Sequence, residues 1–467
     1  MRVAVVGGGI SGLAAAYRLT QAGASPVLFE ASNRLGGVIS TQRTDGFLME
    51  GGPDSFLNKE GIQEVCASLG VPLIDVRQGF GRSFIVRGRR LLPIPHGLYL
   101  MAPSAIRPFL RSPVVSPMGK LRMGLDLVLP ARSSGGDESL GSFVRRRLGR
   151  EALARVAQPL IGGIYSGDPE RLSLAATQPQ FLDMERQYGS VIRALLRRRV
   201  QASGARYSLF LTPRDGMQAL VDALAAHLTE VRLSTAVERL QPPEVRLRRR
   251  EGRACPERSE GARVPSWHIN GEPFDAVCLC LPVPAAARLL PHLPWPALTY
   301  TSMATVNFAF LRDQVRHALD GAGMVVPAVE RRSIVACTFS SQKFEGRAPD
   351  AHVLLRAFVG GALAPYALAR ADADLIAAAL ADLRTLLGIE GEPAYVWLTR
   401  MPKSMPQYEV GHLERLAAFE RALSGDPTLA VSGNAARGVG VPDCVASGFA
   451  AAGRLLMSGA VPSQMAS

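Results

Sequence analysis

The chain has 467 residues, of which 47% are hydrophobic and 20% charged, and its formal net charge is +13. This length exceeds what one compact core holds and favours two or three domains, for which the apolar content suffices. Arginine carries almost all of the positive excess, and the sequence lacks zinc-finger spacing, aromatic-studded RNA motifs and a lysine tail. Composition therefore argues against nucleic acid as a partner.

None of the cysteines forms a C-x-x-C pair, a distribution typical of reduced structural thiols in a cytoplasmic protein. The six are Cys66, Cys255, Cys278, Cys280, Cys337 and Cys444. We expect Cys278 and Cys280 to share one face of a strand and to pack in a core, so no metal site is predicted. The chain enters its first strand at residue 3 and has no run of roughly 18 apolar residues, so neither a signal peptide nor a membrane span is predicted.

The first elements in chain order are a strand, a glycine-rich turn and a helix. Residues 3–6 have the apolar, β-branched content of a buried strand, and residues 11–21 have leucines at helical spacing. Between them, Gly7, Gly9 and Gly12 match G-x-G-x-x-G. These glycines allow a tight turn, a close approach of the backbone to a pyrophosphate, and close packing of the helix on the strand. The start of the helix then offers free N–H groups to the phosphates.

A second apolar run, residues 26–29, ends at Glu30. A carboxylate there accepts hydrogen bonds from an adenosine ribose and repels the 2′-phosphate of NADP. Arg34, Gly36 and Gly37 follow in a second glycine turn, which can return to the same pyrophosphate and which nicotinamide enzymes do not generally need. The sequence therefore predicts a dinucleotide site, with a tight strand-to-helix connection that binds no ligand as the alternative.

Residues 86–204 predict an α-helical insertion, because their apolar positions recur at helical spacing. Four prolines are expected to divide its first part into short helices. They are Pro103, Pro108, Pro113 and Pro117. Apolar residues interleaved with arginines fit two interpretations, packing on the protein's own core or contact with an anionic membrane surface. The sequence alone leaves both open.

Strands return in the second half of the chain. Residues 245–269 predict two strands joined by a charged hairpin, and residues 275–281 predict an apolar strand. Residues 300–400 predict a mostly antiparallel sheet followed by a helix.

The chain ends as it begins, with a strand, a glycine-rich turn and a helix of small residues. Gly433, Gly438 and Gly440 lie in this turn. A second backbone-lined anion or carbonyl site is predicted here, so that both ends of the chain close on one long cofactor. A purely structural turn is the alternative.

Seven motifs, in order along nearly the whole chain, resemble those of the flavin-dependent porphyrinogen oxidases. They are GGGISGLAAAYRL, RLGG, GGPDSFL, GGIYSGD, PQFLDMER, MPKSMPQYEVGHLERL and GVGVPDC. The set is most similar to the bacterial coproporphyrinogen III oxidase type. The resemblance implies an α/β fold, α+β overall, similar to the flavin amine oxidases, with FAD bound without a covalent link.

The resemblance also divides the chain into three parts. The first is a discontinuous Rossmann-like FAD-binding domain, residues 1–57, 205–290 and 405–467. The second is a mixed-sheet substrate-binding domain, residues 58–85 and 291–404. The third is the α-helical domain, residues 86–204, for which membrane association stays open.

By the same resemblance, the residues that contact the adenosine and pyrophosphate half of FAD are Gly7, Gly9, Ile10, Ser11, Gly12, Glu30, Arg34, Gly36 and Gly37. The backbone of Val237, in a segment expected to be strand-like, meets the adenine. The residues expected at the flavin end are Gly51, Gly52, Pro53, Gly433, Gly438, Val439, Gly440 and Val441. Asp54, beside the flavin ring, is the candidate catalytic residue.

For the substrate, the resemblance implies that the carbonyl of Gly163 faces pyrrole N–H groups and that Val325 and Phe358 form apolar walls. Ordinary core positions are the alternative for these three. His96 falls where relatives can carry a cation for a propionate. Because a histidine is only partly charged near neutral pH, Arg90 or Arg107 is the alternative cation there. An exposed loop histidine with no substrate role is the other alternative.

The implied reaction is the oxygen-dependent, six-electron oxidation of coproporphyrinogen III to coproporphyrin III in haem biosynthesis, with release of hydrogen peroxide. The flavin takes two electrons per cycle, as hydride from a meso carbon, so three cycles are needed. The protein then has to supply a dry, flat pocket and orientation. Molecular oxygen is a further implied partner. Contact with a membrane surface and a transient contact with a ferrochelatase stay open, and the expected location is the cytoplasm or the cytoplasmic membrane face.

Several alternatives stay open from the sequence. Protoporphyrinogen IX is the alternative substrate; it carries two propionates against the four of coproporphyrinogen III, and an arginine-rich mouth favours the latter. A flavin amine oxidase or a carotenoid desaturase uses the same scaffold. A flavin-binding partner protein without catalysis is the last alternative.

Overall fold

The structure is a computed structural model that describes residues 1–132, 135–197, 210–243 and 266–457. The described strands are β1 (Arg2–Val6), β2 (Ser25–Phe29), β3 (Thr41–Thr44), β4 (Phe47–Glu50), β5 (Phe56–Leu57), β6 (Leu73–Asp75), β7 (Ser83–Arg87), β8 (Arg90–Pro93), β9 (Leu98–Tyr99), β10 (Ala102–Pro103), β11 (Phe210–Pro213), β12 (Glu230–Arg232), β13 (Leu240–Gln241), β14 (Trp267–Ile269), β15 (Glu272–Phe274), β16 (Ala276–Leu279), β17 (Thr299–Leu311), β18 (Gly323–Val325), β19 (Ile334–Phe339), β20 (His352–Gly360), β21 (Tyr395–Gln407) and β22 (Leu429–Val431).

The described α-helices are α1 (Ile10–Gln21), α2 (Ile62–Ser68), α3 (Ile106–Arg111), α4 (Pro117–Gly124), α5 (Leu140–Arg147), α6 (Arg150–Ala152), α7 (Gln158–Tyr165), α8 (Leu174–Thr177), α9 (Pro179–Tyr188), α10 (Val191–Arg197), α11 (Gln218–Ala225), α12 (Val283–Leu289), α13 (Ser340–Lys343), α14 (Asp372–Leu387), α15 (His412–Leu423) and α16 (Val441–Leu455). A π-helical turn, Leu153–Ala157, joins α6 to α7. A 3₁₀ turn, Leu125–Leu127, extends α4.

Strands from distant parts of the chain form a five-stranded parallel sheet in the order β12-β2-β1-β16-β22. Its central strands are buried on both faces, which explains why their sequences are continuously apolar. Helices α1 and α16 pack against each other on this sheet and share one core. The predicted Rossmann-like arrangement is confirmed, and both ends of the chain belong to it.

The second large sheet is mixed, with the order β21-β17-β20-β19-β18-β7-β8. Alternation along β17 sends Val306 and Phe308 into a core that includes Leu383 of α14. Thr305 and Asn307, on the intervening positions, are buried on the opposite face. One face of this sheet is therefore an ordinary apolar core, and the other carries buried polar side chains.

The α-helical insertion begins later than residue 86. Strands β7 and β8 form an antiparallel hairpin that extends the mixed sheet to Pro93, so the predicted boundary cuts through this hairpin. The helices are short as expected, since α3 and α4 have six and eight residues and Pro117 occupies the first turn of α4. Pro103 instead lies in β10, and Pro108 lies inside α3 without ending it. Inside the insertion, Arg147 is fully buried and its Nε donates to Asp126 Oδ1 over 2.6 Å.

Other differences concern strands. Strand β21 was not expected from the sequence, because prolines and charged residues interrupt its apolar pattern. Most of the predicted charged hairpin, residues 245–265, lies outside the described residues. Within the part of the chain that the structure describes, no helix is both long and apolar enough to cross a membrane.

Candidate active site

The first glycine turn is held by the parallel sheet. The N–H of Gly7 donates to the carbonyl of Phe29 over 2.8 Å, with Gly7 at a φ of +110° that L side chains rarely adopt. A Cβ on Gly12 would lie 1.9 Å from the carbonyl oxygen of Gly7, so α1 can approach the turn only with glycine there. A Cβ on Gly9 would meet no protein atom within 4 Å. The turn is therefore closed towards the protein and open at Gly9.

The open side of this turn is the start of α1. Gly9 is its N-cap residue, and no side chain caps the helix there. The first N–H groups of the helix, from Ile10 and Ser11 onward, are thus left for a ligand. Together with the helix dipole they form a site for a pyrophosphate.

Glu30 is fixed at the carboxyl end of β2. Its two carboxylate oxygens accept the N–H groups of Gly8, over 2.7 Å, and of Ser32, over 2.8 Å. The chain after β12 runs beside it, because the N–H of Thr235 donates to the carbonyl of Glu30 over 2.8 Å. Val237 follows two residues later, half-buried, in a segment without regular secondary structure and not in the expected strand. Carboxylate and coil together fit the ribose and adenine of a dinucleotide.

The second glycine turn returns to the first. The N–H of Gly36 donates to the carbonyl of Gly8 over 2.9 Å, and Gly9 and Gly36 form a parallel bridge. The guanidinium of Arg34 donates to the carbonyls of Gly37 and, over 2.8 Å, Ile39. In this structure Arg34 therefore braces its own turn, which presents Gly36 and Gly37 beside the pyrophosphate position.

The turn after β4 is held by side chains of the mixed sheet. Each backbone carbonyl of residues 50–52 accepts one hydrogen bond from a side chain of the sheet. Asn307 Nδ2 donates to the carbonyl of Glu50 over 3.0 Å, and Thr305 Oγ1 donates to that of Gly51 over 2.7 Å. Arg356 Nη1 donates to the carbonyl of Gly52 over 2.8 Å. Buried polar groups cost stability unless they are paired, so this set fixes the turn on the sheet face.

A close approach occurs at Gly51. A Cβ there would lie 2.4 Å from Ser40 Oγ, 2.8 Å from Thr399 Oγ1 and 3.0 Å from Trp397 Cη2. The hydroxyls of Ser40 and Thr399 are buried and have no hydrogen-bond partner among the described residues. Two unpaired hydroxyls and an indole around one glycine fit the polar rim and the flat face of a flavin ring.

Asp54 lies in a buried ion cluster next to Pro53. Its carboxylate is 3.2 Å from Lys343 Nζ and 3.7 Å from a guanidinium nitrogen of Arg356, and it accepts the hydroxyl of Ser55 over 2.8 Å. Burial would raise the pKa of Asp54, but the positive charges of Lys343 and Arg356 outweigh it and hold that pKa well below its usual range. The geometry favours a permanently ionised group that holds Lys343 and Arg356 in place over the catalytic role implied by the resemblance.

The proposed substrate walls lie on the same sheet face as this network. Phe358 is directly opposite Thr305 of β17 and Ala336 of β19, and Val325 is opposite the same Ala336. Opposite residues in neighbouring strands point to one face. Phe358 therefore lies beside the turn that Thr305 holds, and Val325 lies farther along, where it packs against the core of the insertion.

Helix α7 crosses this face, packing against β18, β19 and β21. It carries Gly163, which is exposed and whose Cβ would meet no atom within 4 Å. The apolar row of Phe358, Ala336 and Val325 and the helix that carries Gly163 therefore share one side of the mixed sheet. His96 is exposed in the turn between β8 and β9, and it is not brought into this row by any contact seen in the described residues.

The last glycine-rich loop connects β22 to α16 and contacts both the core of the parallel sheet and the core of the insertion. Gly433 has a φ of +135° and faces open space, and Gly440 is the N-cap of α16, again without a side-chain cap. Val441 is buried in the core of the parallel sheet, whereas Val439 packs against the core of the insertion. The loop, which also carries Gly438, is thus anchored to both cores, and its position fits a segment that covers the flavin end.

Sequence reasoning missed the side chains that hold the turn at residues 50–52. Asn307 and Arg356 were visible as polar residues inside apolar strands, and such residues need a buried partner. Trp397 was missed together with β21. Among the residues that the structure describes, no group of three acidic, histidine or cysteine side chains could hold a metal.

Comparison with known proteins agrees with this geometry. A family model described as "Flavin containing amine oxidoreductase" matches residues 10–456. Coproporphyrinogen III oxidase of Bacillus subtilis is 35% identical over 96% of each chain, and that of Staphylococcus aureus is 32% identical over 96% of this chain and 98% of its own. A crystal structure from Exiguobacterium, described as a protoporphyrinogen oxidase, is 32% identical, covers 98% of each chain and superposes with a TM-score of 0.83. The resemblance seen in the motifs is confirmed, and the chain belongs to the family of flavin-containing amine oxidoreductases.

Proposed function

We propose that the protein oxidises coproporphyrinogen III to coproporphyrin III, with FAD bound non-covalently and molecular oxygen as the final acceptor that leaves as hydrogen peroxide. The observation that carries the proposal is that one face of the mixed sheet holds both the polar network at the turn of residues 50–52 and a row of apolar side chains. Thr305 fixes the turn at Gly51 on this face, and Phe358, directly opposite Thr305, begins the apolar row that leads through Ala336 to Val325. A flavin against the turn and a macrocycle on the row would be neighbours.

The residues of this chain then have distinct tasks. The start of α1 and the turn at Gly36 and Gly37 bind the pyrophosphate, and Glu30 binds the ribose. Bound FAD supplies the acceptance of two electrons at a time, so that three cycles remove six electrons and six protons. Phe358 and Val325 exclude water and orient the substrate. The carboxylate of Asp54 is paired with Lys343 and therefore keeps its ion cluster in place beside the turn.

Two features support coproporphyrinogen III over protoporphyrinogen IX. The two bacterial relatives above carry the former name and match over 96% of this chain. The chain also has a net charge of +13, which favours the substrate with more carboxylates. The name of the Exiguobacterium structure keeps protoporphyrinogen IX as the second candidate.

Anaerobic mixing of the yellow holoprotein with each porphyrinogen tests this proposal. We expect bleaching of the flavin absorbance with coproporphyrinogen III, porphyrin fluorescence once air is admitted, and faster bleaching than with protoporphyrinogen IX. A flavin that stays oxidised with both would overturn the oxidase proposal, and a faster reaction with protoporphyrinogen IX would overturn the substrate. Acid precipitation should leave the FAD in the supernatant, whereas flavin in the pellet would contradict non-covalent binding.

We also propose that the insertion rests on an anionic membrane surface. Met118, Leu121, Leu125 and Val128 recur at helical spacing along α4 and the following turn, and Met118 and Val128 are 73% and 77% exposed. Cationic side chains, among them Lys120, lie between them. An exposed apolar stripe with interspersed cations fits the interface of an anionic bilayer. A transient contact with ferrochelatase stays a prediction from the resemblance.

Sedimentation with vesicles tests this surface. The protein should pellet with phosphatidylglycerol vesicles, and Met118→Ser with Val128→Ser should stay in the supernatant. Tyr366→Ser, which removes a side chain of similar exposure outside the insertion, is the matched control and should pellet as before. Equal sedimentation of the double variant and the control would contradict the proposal.

A further inference from the structure

Two stacked, buried rings lie behind the loop between β22 and α16. Tyr408 follows β21 and His412 begins α15. Their ring centroids are 4.4 Å apart with an interplanar angle of 10°, and neither ring is more than 1% exposed. We call this pair of residues the ring clamp.

The ring clamp holds alternate backbone groups of the loop. The hydroxyl of Tyr408 donates to the carbonyl of Asn434 over 2.6 Å and accepts the N–H of Gly438 over 3.0 Å. Nε2 of His412 lies 3.0 Å from the carbonyl of Ala436. The path of the loop is therefore set by two side chains outside it.

The same clamp reaches the insertion. The carbonyl of Tyr408 accepts the N–H of Ser173 over 2.7 Å, and its ring lies 6.4 Å from that of Tyr165. Tyr165 is the last residue of α7, the helix that carries Gly163. The loop over the flavin end and the helix over the substrate row thus share one support.

The clamp requires a neutral histidine. Because a carbonyl only accepts, Nε2 must carry the proton, and Nδ1 is buried without a partner among the described residues. Burial lowers the pKa of His412; the carbonyl of Ala436 raises it, Arg415 and Arg437 lower it, and Asp137 raises it. A second proton would sit on a buried nitrogen that has no partner among the described residues, near the positive charges of Arg415 and Arg437.

We propose that Tyr408 and His412 are positioning residues for the flavin and that protonation of His412 releases the loop, so that FAD leaves the protein on acidification. The proposal rests on non-covalent flavin binding from the proposed function and not on the identity of the substrate. The neutral form is favoured in the folded clamp, so its contribution is present above the ordinary histidine pKa of about 6.5 and is lost as the pH falls. One proton changes the dissociation constant of FAD by at most about tenfold per pH unit.

The test is the dissociation constant of FAD, measured by flavin fluorescence on apoprotein between about pH 7.5 and about pH 5.5. We expect it to rise about tenfold in the wild type and less than about twofold in His412→Gln, which keeps a distal N–H donor but does not titrate. Tyr408→Phe should weaken FAD at both ends of the range. His317→Gln is the matched control, since burial also lowers the pKa of His317, and it should follow the wild type.

Equal pH dependence of the wild type and His412→Gln, or none in the wild type, would overturn the proposal. If the variant does not fold, hydrogen exchange of residues 434–440 in the wild type, corrected for intrinsic rates, replaces it as the test. Protection of these amides should fall on acidification. Unchanged protection would contradict release of the loop. Inactivity on both porphyrinogens, with the pH dependence intact, would overturn the proposed function alone.

Discussion

The two halves of the candidate site are built from different groups, the backbone at the dinucleotide end and side chains at the ring end. At the dinucleotide end, backbone groups make the site, since Gly9 leaves open space and the start of α1 has no side-chain cap. At the ring end, side chains of the mixed sheet make it, because Thr305, Asn307 and Arg356 each capture a backbone carbonyl. A backbone-made site depends on where glycines stand, whereas a side-chain-made site depends on which strands become neighbours.

The largest effect is expected from Arg356→Met. This change leaves the carbonyl of Gly52 without its donor and removes one of the two cations beside Asp54. Breaking a buried ion pair costs about 3–5 kcal/mol, so the free energy of unfolding in urea should fall by that order. Arg316→Met, at an exposed ion pair with Glu390, is the control and should cost about 1 kcal/mol or less. Similar losses at both positions would show that the ring end does not depend on its side-chain network.

A pair of glycine changes separates folding from binding at the dinucleotide end. Gly12→Ala places a Cβ against the carbonyl of Gly7 and should cost about 1–3 kcal/mol of stability. Gly9→Ala meets no protein atom, so it should leave stability unchanged and weaken FAD at least tenfold, about 1.4 kcal/mol, by blocking the pyrophosphate. Urea unfolding of the apoproteins and FAD titration measure the two effects. Unchanged FAD affinity in Gly9→Ala would contradict a pyrophosphate site at the first glycine turn.

A smaller effect is expected from Thr305→Val, which keeps the side-chain shape but removes the donor to the carbonyl of Gly51. The free energy of unfolding should fall by about 1 kcal/mol because the hydrogen bond is lost. FAD should also bind more weakly, because the turn at Gly51 is no longer held on the sheet. Thr385→Val is the control, since the Thr385 hydroxyl bonds only the carbonyl of Ala381 in its own exposed helix turn. Equal flavin affinity in both variants would contradict a role of Thr305 in holding the turn.

The smallest effect concerns Glu50, whose backbone carbonyl Asn307 holds. Burial raises the pKa of the Glu50 carboxyl above its ordinary 4.5, against hydrogen bonds from Met217 and Thr41. A raised carboxyl pKa contributes stability that is present below the ordinary value and is lost as the pH rises through the folded value. Glu50→Gln should therefore remove a small loss of stability on raising the pH from 4.5 towards neutral. A wild type and variant with parallel pH profiles would exclude this contribution.

The comparison also explains how much could be predicted from the sequence. The glycines of the first turn, Glu30 and the terminal loop were recognised because local spacing alone encodes a strand, a turn and a helix. Trp397 and Thr399 were missed because β21 has no clean alternation, and their approach to Gly51 arises only when β21 pairs with β17. The ring clamp was missed for a related reason, since its partners are backbone groups of a loop far along the chain.

The domain boundary also shows the difference between what local sequence spacing predicts and what depends on strand pairing. The change in apolar pattern predicts that the insertion starts at residue 86, yet β8 continues the sheet to Pro93. A two-stranded hairpin at a sheet edge is too short to show a period. We propose the three-part division of the chain with this boundary moved to residue 94.

A crystal structure of the protein with FAD and coproporphyrin III tests the central claim most directly. The account predicts the flavin ring between the turn at residues 51–53 and the loop that follows β22, and the porphyrin on Phe358 and Val325 under α7. A porphyrin bound away from that sheet face, or a flavin ring that does not contact residues 51–53, would contradict it.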